Sequence, residues 1–135
     1  MKFILTILLV VVSINAFAEM SDSELRNALI GSWVKSSDDS SYNEYGFITE
    51  YKTDGTTVHR DYASKNCKVL EAITTGKWSI ESGYLTNTVE TSKGEYPLPI
   101  GAVVTDRIMS IDETFKVLKT KSGKTLLRTK STKCV

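Results

Sequence analysis

His59 is the chain's only imidazole, and the residues around it, Val58, Arg60 and Asp61, include no cysteine or second histidine. Zinc requires about four such ligands brought together, so this spacing predicts no metal site. Paired in space with Asp61 or a serine, His59 would serve as a base. No serine, however, lies in the strand-turn-helix elbow that exposes a nucleophilic hydroxyl. A surface or hydrogen-bonded histidine is therefore expected rather than a general base. The acidic pairs Asp38-Asp39 and Asp112-Glu113 fall in predicted loops, where solvated turn residues are the ordinary explanation. Calcium requires about six or more oxygens from a defined loop, and no Asp-x-Asp-x-Asp-Gly pattern is present. No glycine loop suited to phosphate appears either, and no cofactor is expected.

Cys67 and Cys134 are the only cysteines. They lack a C-x-x-C spacing or an activating base, which argues against redox or nucleophilic use. An even pair in an exported chain predicts a disulfide. On the chain-entropy estimate its long loop is worth roughly 4 kcal/mol.

Export is itself predicted. Met1 and Lys2 give a positive start, residues 3–12 are apolar apart from Thr6, and Ala16-Phe17-Ala18 places small residues where signal peptidase reads them. Cleavage after Ala18 is expected. A membrane anchor needs about 20 apolar residues, and Ser13 and Asn15 interrupt this run before that length. The lipid-anchored route has no cysteine near the cleavage point to modify. The expectation is a signal peptide over 1–18 and one soluble domain over 19–135, in the periplasm or outside the cell, without a transmembrane anchor.

Removing residues 1–18 takes away one base, Lys2, and no acid, leaving 16 bases against 16 acids. Net charge near zero offers no global attraction for nucleic acid. Locally, Lys116, Lys119, Lys121, Lys124, Arg128, Lys130 and Lys133 face no acid between Phe115 and the C-terminus. The favoured reading is a solvated outer face on the last hairpin; the sharper one is a basic patch for an acidic protein surface or lipid headgroups. Without aromatic interleaving, single-stranded nucleic acid is a poor partner for it.

The elements that would position these residues follow from periodicity. Ser21-x-x-Glu24 has the pattern of a capping box, with Leu25, Leu29 and Ile30 at helical spacing behind it. Gly31 offers the left-handed position that ends a helix. A helix of about two turns should lead into a strand over 32–36 carrying Trp33. A polar loop over 36–43 precedes an alternating segment with Tyr45, Phe47, Thr49 and Tyr51 on one face, and Asp54-Gly55 turns it into a strand over 57–62. A long strand over 69–80 has Gly76 as a bulge or kink. Ser82-Gly83 leads to a strand over 84–90, and 91–101, with Pro97 and Pro99, reads as a loop. Strands over 103–111, 115–120 and 125–130 complete eight. Sequential short strands without a second helix predict an all-β, antiparallel up-and-down sheet, which closing into a barrel would relieve of its edges. An open sandwich is the alternative.

The Gly-x-Trp of Gly31-Ser32-Trp33, directly after a short helix, resembles the lipocalin-like, or calycin, barrels. Asp54-Gly55-Thr56, Gly76-Lys77-Trp78-Ser79-Ile80, Tyr84-Leu85-Thr86 and Leu126-Leu127-Arg128 follow in the order seen in small bacterial lipocalin-like domains. The similarity spans most of the mature chain. It implies that Trp33 plugs the closed end of the barrel with Arg128 from the last strand across its ring, a cation–π pair of order 1 kcal/mol. Gly31, Trp33 and Arg128 would then be structural. An eight-stranded interior is just wide enough to be filled by side chains or to hold one small ligand.

Tyr42, Tyr45, Phe47, Tyr51, Tyr62, Trp78 and Tyr84 supply large rings that ordinarily fill a core. If a cavity exists, Phe47, Tyr51, Trp78 and Leu85 are its expected wall, with tyrosine hydroxyls orienting the ligand. The leading expectation is an exported, non-catalytic protein that binds a small apolar or amphipathic ligand. The alternative is an exported protein-binding module, such as a hydrolase inhibitor, that uses the barrel as scaffold.

Overall fold

The computed structural model describes residues 19–36 and 46–133. The cleavage site at Ala18, Asp38-Asp39, Tyr42, Tyr45 and Cys134 lie outside the described residues. Helix α1 (Asp22–Leu29) precedes eight strands: β1 (Gly31–Lys35), β2 (Gly46–Tyr51), β3 (Thr56–Tyr62), β4 (Leu70–Glu81), β5 (Tyr84–Gly94), β6 (Val103–Ile111), β7 (Phe115–Lys119) and β8 (Thr125–Lys130). Each strand pairs antiparallel with the next, and β8 returns to β1 through Trp33↔Lys130, Val34↔Thr129 and Lys35↔Arg128. That last ladder closes an up-and-down barrel and removes the open-sandwich alternative. No helix among the described residues is long and apolar enough to cross a membrane.

The helix starts where its capping box predicts. The Glu24 amide donates to Ser21 Oγ at 3.2 Å, and the Ser21 amide donates to the Glu24 carboxylate at 2.8 Å, so two otherwise orphaned donors are satisfied. Asp22 in the same turn accepts from the amides of Ser82 (2.7 Å) and Gly83 (2.9 Å), fastening α1 to the β4–β5 turn. The helix ends at Leu29 with Ile30 as its extended C-cap, and Gly31, at φ 126°, opens β1 instead of closing the helix in the left-handed region. A Cβ at Gly31 would lie 2.7 Å from Lys130 Cε on the neighbouring strand.

Two further positions decide the barrel's shape. The register between β4 and β5 shifts at Thr75/Gly76, the bulge that Gly76 predicts, and a Cβ there would lie 2.1 Å from the Thr88 carbonyl. Strand β5 runs on to Gly94, so 91–94, expected as loop, is paired strand. The long β4 offers free partners as far back as Ala72, and pairing satisfies the backbone of 91–94 until Gly94 turns away ahead of Pro97. Strand β6 follows β5 only from Tyr84 to Thr88; beyond it the loop after β5 folds back, with the Val89 amide donating to the Ala102 carbonyl at 2.9 Å.

The apolar core sits at one end. Leu25 and Leu29 of α1 pack onto Trp33, Tyr51, Trp78, Leu85, Ile111 and Leu118. The helix thus plugs the end where β1 starts and β8 stops, leaving the polar inner wall farther along the barrel.

Candidate functional site

Strand alternation puts residues two apart on one face. On β2 the inner set is Phe47, Thr49 and Tyr51, and on β3, directly opposite, it is Asp61, His59 and Thr57. Across that ladder Thr49 Oγ1 lies 2.6 Å from His59 Nδ1, and His59 Nε2 lies 3.0 Å from Asp61. Both contacts are satisfied when the Thr49 hydroxyl donates to Nδ1 and Nε2–H donates to the carboxylate. The imidazole also rests against Phe47, ring centroids 5.2 Å apart. His59 is thus held on the inner wall from three sides.

Beside it lies a cavity of about 230 Å³ whose wall includes Thr49, Tyr51, Thr57, His59, Thr74, Asn87, Val89, Leu98 and Val104. Most polar groups of this wall are already engaged: Thr74 bonds Ser92 at 3.0 Å, and Thr49 bonds His59. Tyr51 is 5% exposed, and burial pushes its hydroxyl up to about 12, against the opposing influence of its hydrogen bond with Asn87 and of Arg128. It therefore keeps its proton. One group stands apart: Asn87 Oδ1 is buried without a partner. A buried polar group without a partner costs about 1–3 kcal/mol, so such positions call for an occupant that supplies one.

A second pocket, of about 560 Å³, lies at the opposite end from α1, lined by Lys35, Phe47, Asp61, Tyr62, Glu71, Glu95 and Tyr96 among others. Its charges are mixed, and Phe47 and Asp61 connect its floor to the inner wall of β2 and β3.

The far wall carries buried charge. Lys116, 2% exposed, places its ammonium 4.3 Å from the ring centre of Tyr51 and 4.8 Å from that of Trp33. Burial above all, together with Arg128 and Lys130, pulls its pKa well below the ordinary lysine value, and Asp106 opposes them. Asp106, 8% exposed, is shifted upward, chiefly by burial, with Arg128 and Lys116 restraining the shift. The last hairpin is therefore not a uniformly solvated basic face. Lys116 enters the barrel, and Lys130 reaches over Trp33 at 5.4 Å, while Lys119, Lys121, Lys124 and Lys133 stay exposed.

The residues singled out from sequence separate into two groups. Tyr51 lines the smaller cavity and Phe47 the larger pocket. Trp78 and Leu85 belong to the core beneath α1: Leu85 is fully buried, and Trp78 meets Tyr51 edge-on at 5.8 Å, carries Arg26 over its ring at 4.4 Å and donates to the Lys52 carbonyl at 3.0 Å. Trp33 is fully buried at the plugged end, its indole N–H donating to the Leu29 carbonyl at 2.8 Å. Its expected cation, Arg128, instead lies 4.9 Å over Phe47. Register explains the exchange: Lys130 stands opposite Trp33, whereas Arg128 stands opposite Lys35, two residues nearer the other end. Cys67 lies in the loop between β3 and β4 at φ 55°; Cys134 is outside the described residues, so the expected pairing is a proposal.

Sequence reasoning overlooked Thr57, Asn87 and Asp106, and placed Lys116 on a solvated face when it is buried. The alternation of β3 and β5 holds a signal for the first two, because Thr57 shares its face with His59 and Asn87 shares its face with the buried Leu85. The chain matches no family model and no curated protein, so the meaning of this cavity rests on its own residues.

Proposed function

We propose that this chain is an exported, lipocalin-like protein that takes a small apolar or amphipathic molecule into its barrel without catalysis. The observation that carries this reading is the cavity of about 230 Å³, lined by Val89, Leu98 and Val104 together with hydroxyl-bearing residues and Asn87, whose Oδ1 is buried without a partner. Interior sites of this kind fix a ligand by burial and orient it with few polar contacts. The signal-peptide pattern and the Gly-x-Trp resemblance support export and kinship with lipocalin-like domains. The test is native mass spectrometry of the mature protein purified from its own compartment, with an alkylated aliquot to count free thiols. A retained small molecule supports the carrier reading and gives its mass. An empty barrel that stays empty when offered extracts of that compartment refutes it. Two unreactive cysteines support the Cys67–Cys134 bond.

A second reading has its own observation. The loop after β5 and the start of β6 expose Tyr96 (81%), Ile100 (67%) and Val103 (60%) in one short stretch. Contiguous exposed apolar residues mark contact surfaces, which favours an exported protein-binding module, such as a hydrolase inhibitor, with the barrel as scaffold. Pull-down from the same compartment should then recover a stoichiometric protein, and loss of that protein on Tyr96→Ser and Ile100→Ser would locate the surface.

A further inference from the structure

We infer that the smaller cavity selects an uncharged ligand with a hydrogen-bond donor at its head and a flat apolar body, the head being read by Thr57 and Asn87. This rests on the binding reading above and specifies its ligand class.

Size sets the first limit. At about 30 Å³ for each water-sized group, 230 Å³ corresponds to roughly eight non-hydrogen atoms, about the size of a one- or two-ring body. Charge sets the second. The wall holds no carboxylate, lysine or arginine, and Tyr51 is held protonated. Both nitrogens of the His59 imidazole are already bonded, to Thr49 and Asp61. Lys116 lies across the Tyr51 ring rather than on the wall. An ionised ligand would lose its hydration, while the charges nearest the wall, Lys116, Arg128 and Asp106, already act on one another.

Polarity sets the third. Asn87 Oδ1 can only accept, and it has no partner. The Thr57 hydroxyl, on the wall beside Gly76, can accept or donate. A ligand head must therefore donate, and a molecule lacking an N–H or O–H leaves the acceptor of Asn87 unpaired. Val89, Leu98 and Val104 supply the apolar surface for the body.

The experiment is methyl NMR of the mature, oxidised protein titrated with four probes of similar size: indole, N-methylindole, benzoate and benzylammonium. Indole should shift the methyl resonances of Thr57, Val89 and Val104 saturably. It should bind about tenfold more tightly than N-methylindole, the factor expected for one satisfied buried acceptor, and more tightly than either ion by at least as much. Asn87→Leu should bring the indole to N-methylindole ratio close to one. Equal binding of the two indoles by the natural protein, or tightest binding of an ion, overturns the inference while leaving the carrier reading standing. If no probe moves these methyls and the protein also retains nothing from its compartment, both fall. The wild-type ratio decides the matter even if Asn87→Leu fails to fold.

Discussion

Replacing Lys116 with methionine, which preserves side-chain length and removes the charge, is expected to stabilise the protein and flatten its alkaline pH dependence. The ammonium has two aromatic faces, at 4.3 and 4.8 Å, and these contribute about 1–2 kcal/mol together. Against them stand nearly complete burial and the neighbouring Arg128 and Lys130, which is why the folded-state pKa lies well below the ordinary value. Exchanging buried charge for well-packed apolar side chains commonly gains about 1–4 kcal/mol, so the net gain expected at neutral pH is about 1–2 kcal/mol. The sign with pH follows from proton counting. Between the depressed folded pKa and the unfolded lysine value of about 10.4, the unfolded chain holds one more proton, so wild-type stability rises with pH by up to about 1.4 kcal/mol per unit. Below the folded pKa both states are protonated and this slope vanishes. Tyr51 opposes it only above about pH 10, where unfolded tyrosine starts to ionise. Urea unfolding followed by the fluorescence of Trp33 and Trp78, from neutral pH to about pH 10, measures both quantities. The advantage of Lys116→Met should be largest at the neutral end and shrink as pH rises. A variant less stable than wild type by more than about 1 kcal/mol at neutral pH, with a difference that does not change with pH, would refute the buried placement of this amine.

Tyr51→Phe should cost about 1 kcal/mol at neutral pH, because the Asn87 amide loses its partner. Since the folded pKa of Tyr51 is raised to about 12, its contribution is complete below the unfolded value and is lost as pH climbs. The natural protein should therefore lose up to about 2.7 kcal/mol between pH 10 and 12 that the variant does not, measurable by urea titration at the two ends. Asp22→Ala removes the acceptor of the Ser82 and Gly83 amides and should cost about 1–3 kcal/mol, with faster hydrogen exchange in α1 and in the β4–β5 turn. Gly76→Ala puts a methyl 2.1 Å from the Thr88 carbonyl, and a loss of about 1–3 kcal/mol in thermal unfolding is expected; an unchanged melting temperature would remove the bulge as a requirement.

What could be read from sequence divides along the line between backbone and interior. The capping box, the Asp54-Gly55 and Ser82-Gly83 turns and the Gly76 bulge are local chemistry, and each lies in the structure where the residues predict it. Strand β5 exceeded its expected length because its end is set by a distant partner, β4, and not by its own composition. The cavity was only half legible. Phe47, Thr49 and Tyr51 share a face by alternation, but which aromatic meets a cavity and which meets the helix depends on where α1 sits. Trp78 and Leu85 lie under Leu25 and Leu29, and no periodicity in β4 or β5 reports that.

The last hairpin shows why buried charge escapes a period-two reading. In β7 the residues Phe115, Lys116, Val117 and Leu118 are apolar on both alternations save one, so simple alternation favours Phe115 and Val117 as the inner pair. The opposite holds: Phe115 is 43% exposed, whereas Lys116 and Leu118 are 2% and 5% exposed. Register decides it, because Leu118 pairs with Leu126 and Lys116 with Arg128, and closure of β8 on β1 carries that face inward with Trp33. An outward Lys116 would need a one-residue slip of β7, which would also turn Leu118 out of the core and take from Tyr51 the ammonium over its ring. Burying a side chain with a depressed pKa is thus the consequence of a register fixed elsewhere. The same register places the charges of β7 and β8 behind Tyr51, on the wall opposite Thr57 and Asn87, and so leaves the cavity lined by neutral groups around one bonded imidazole.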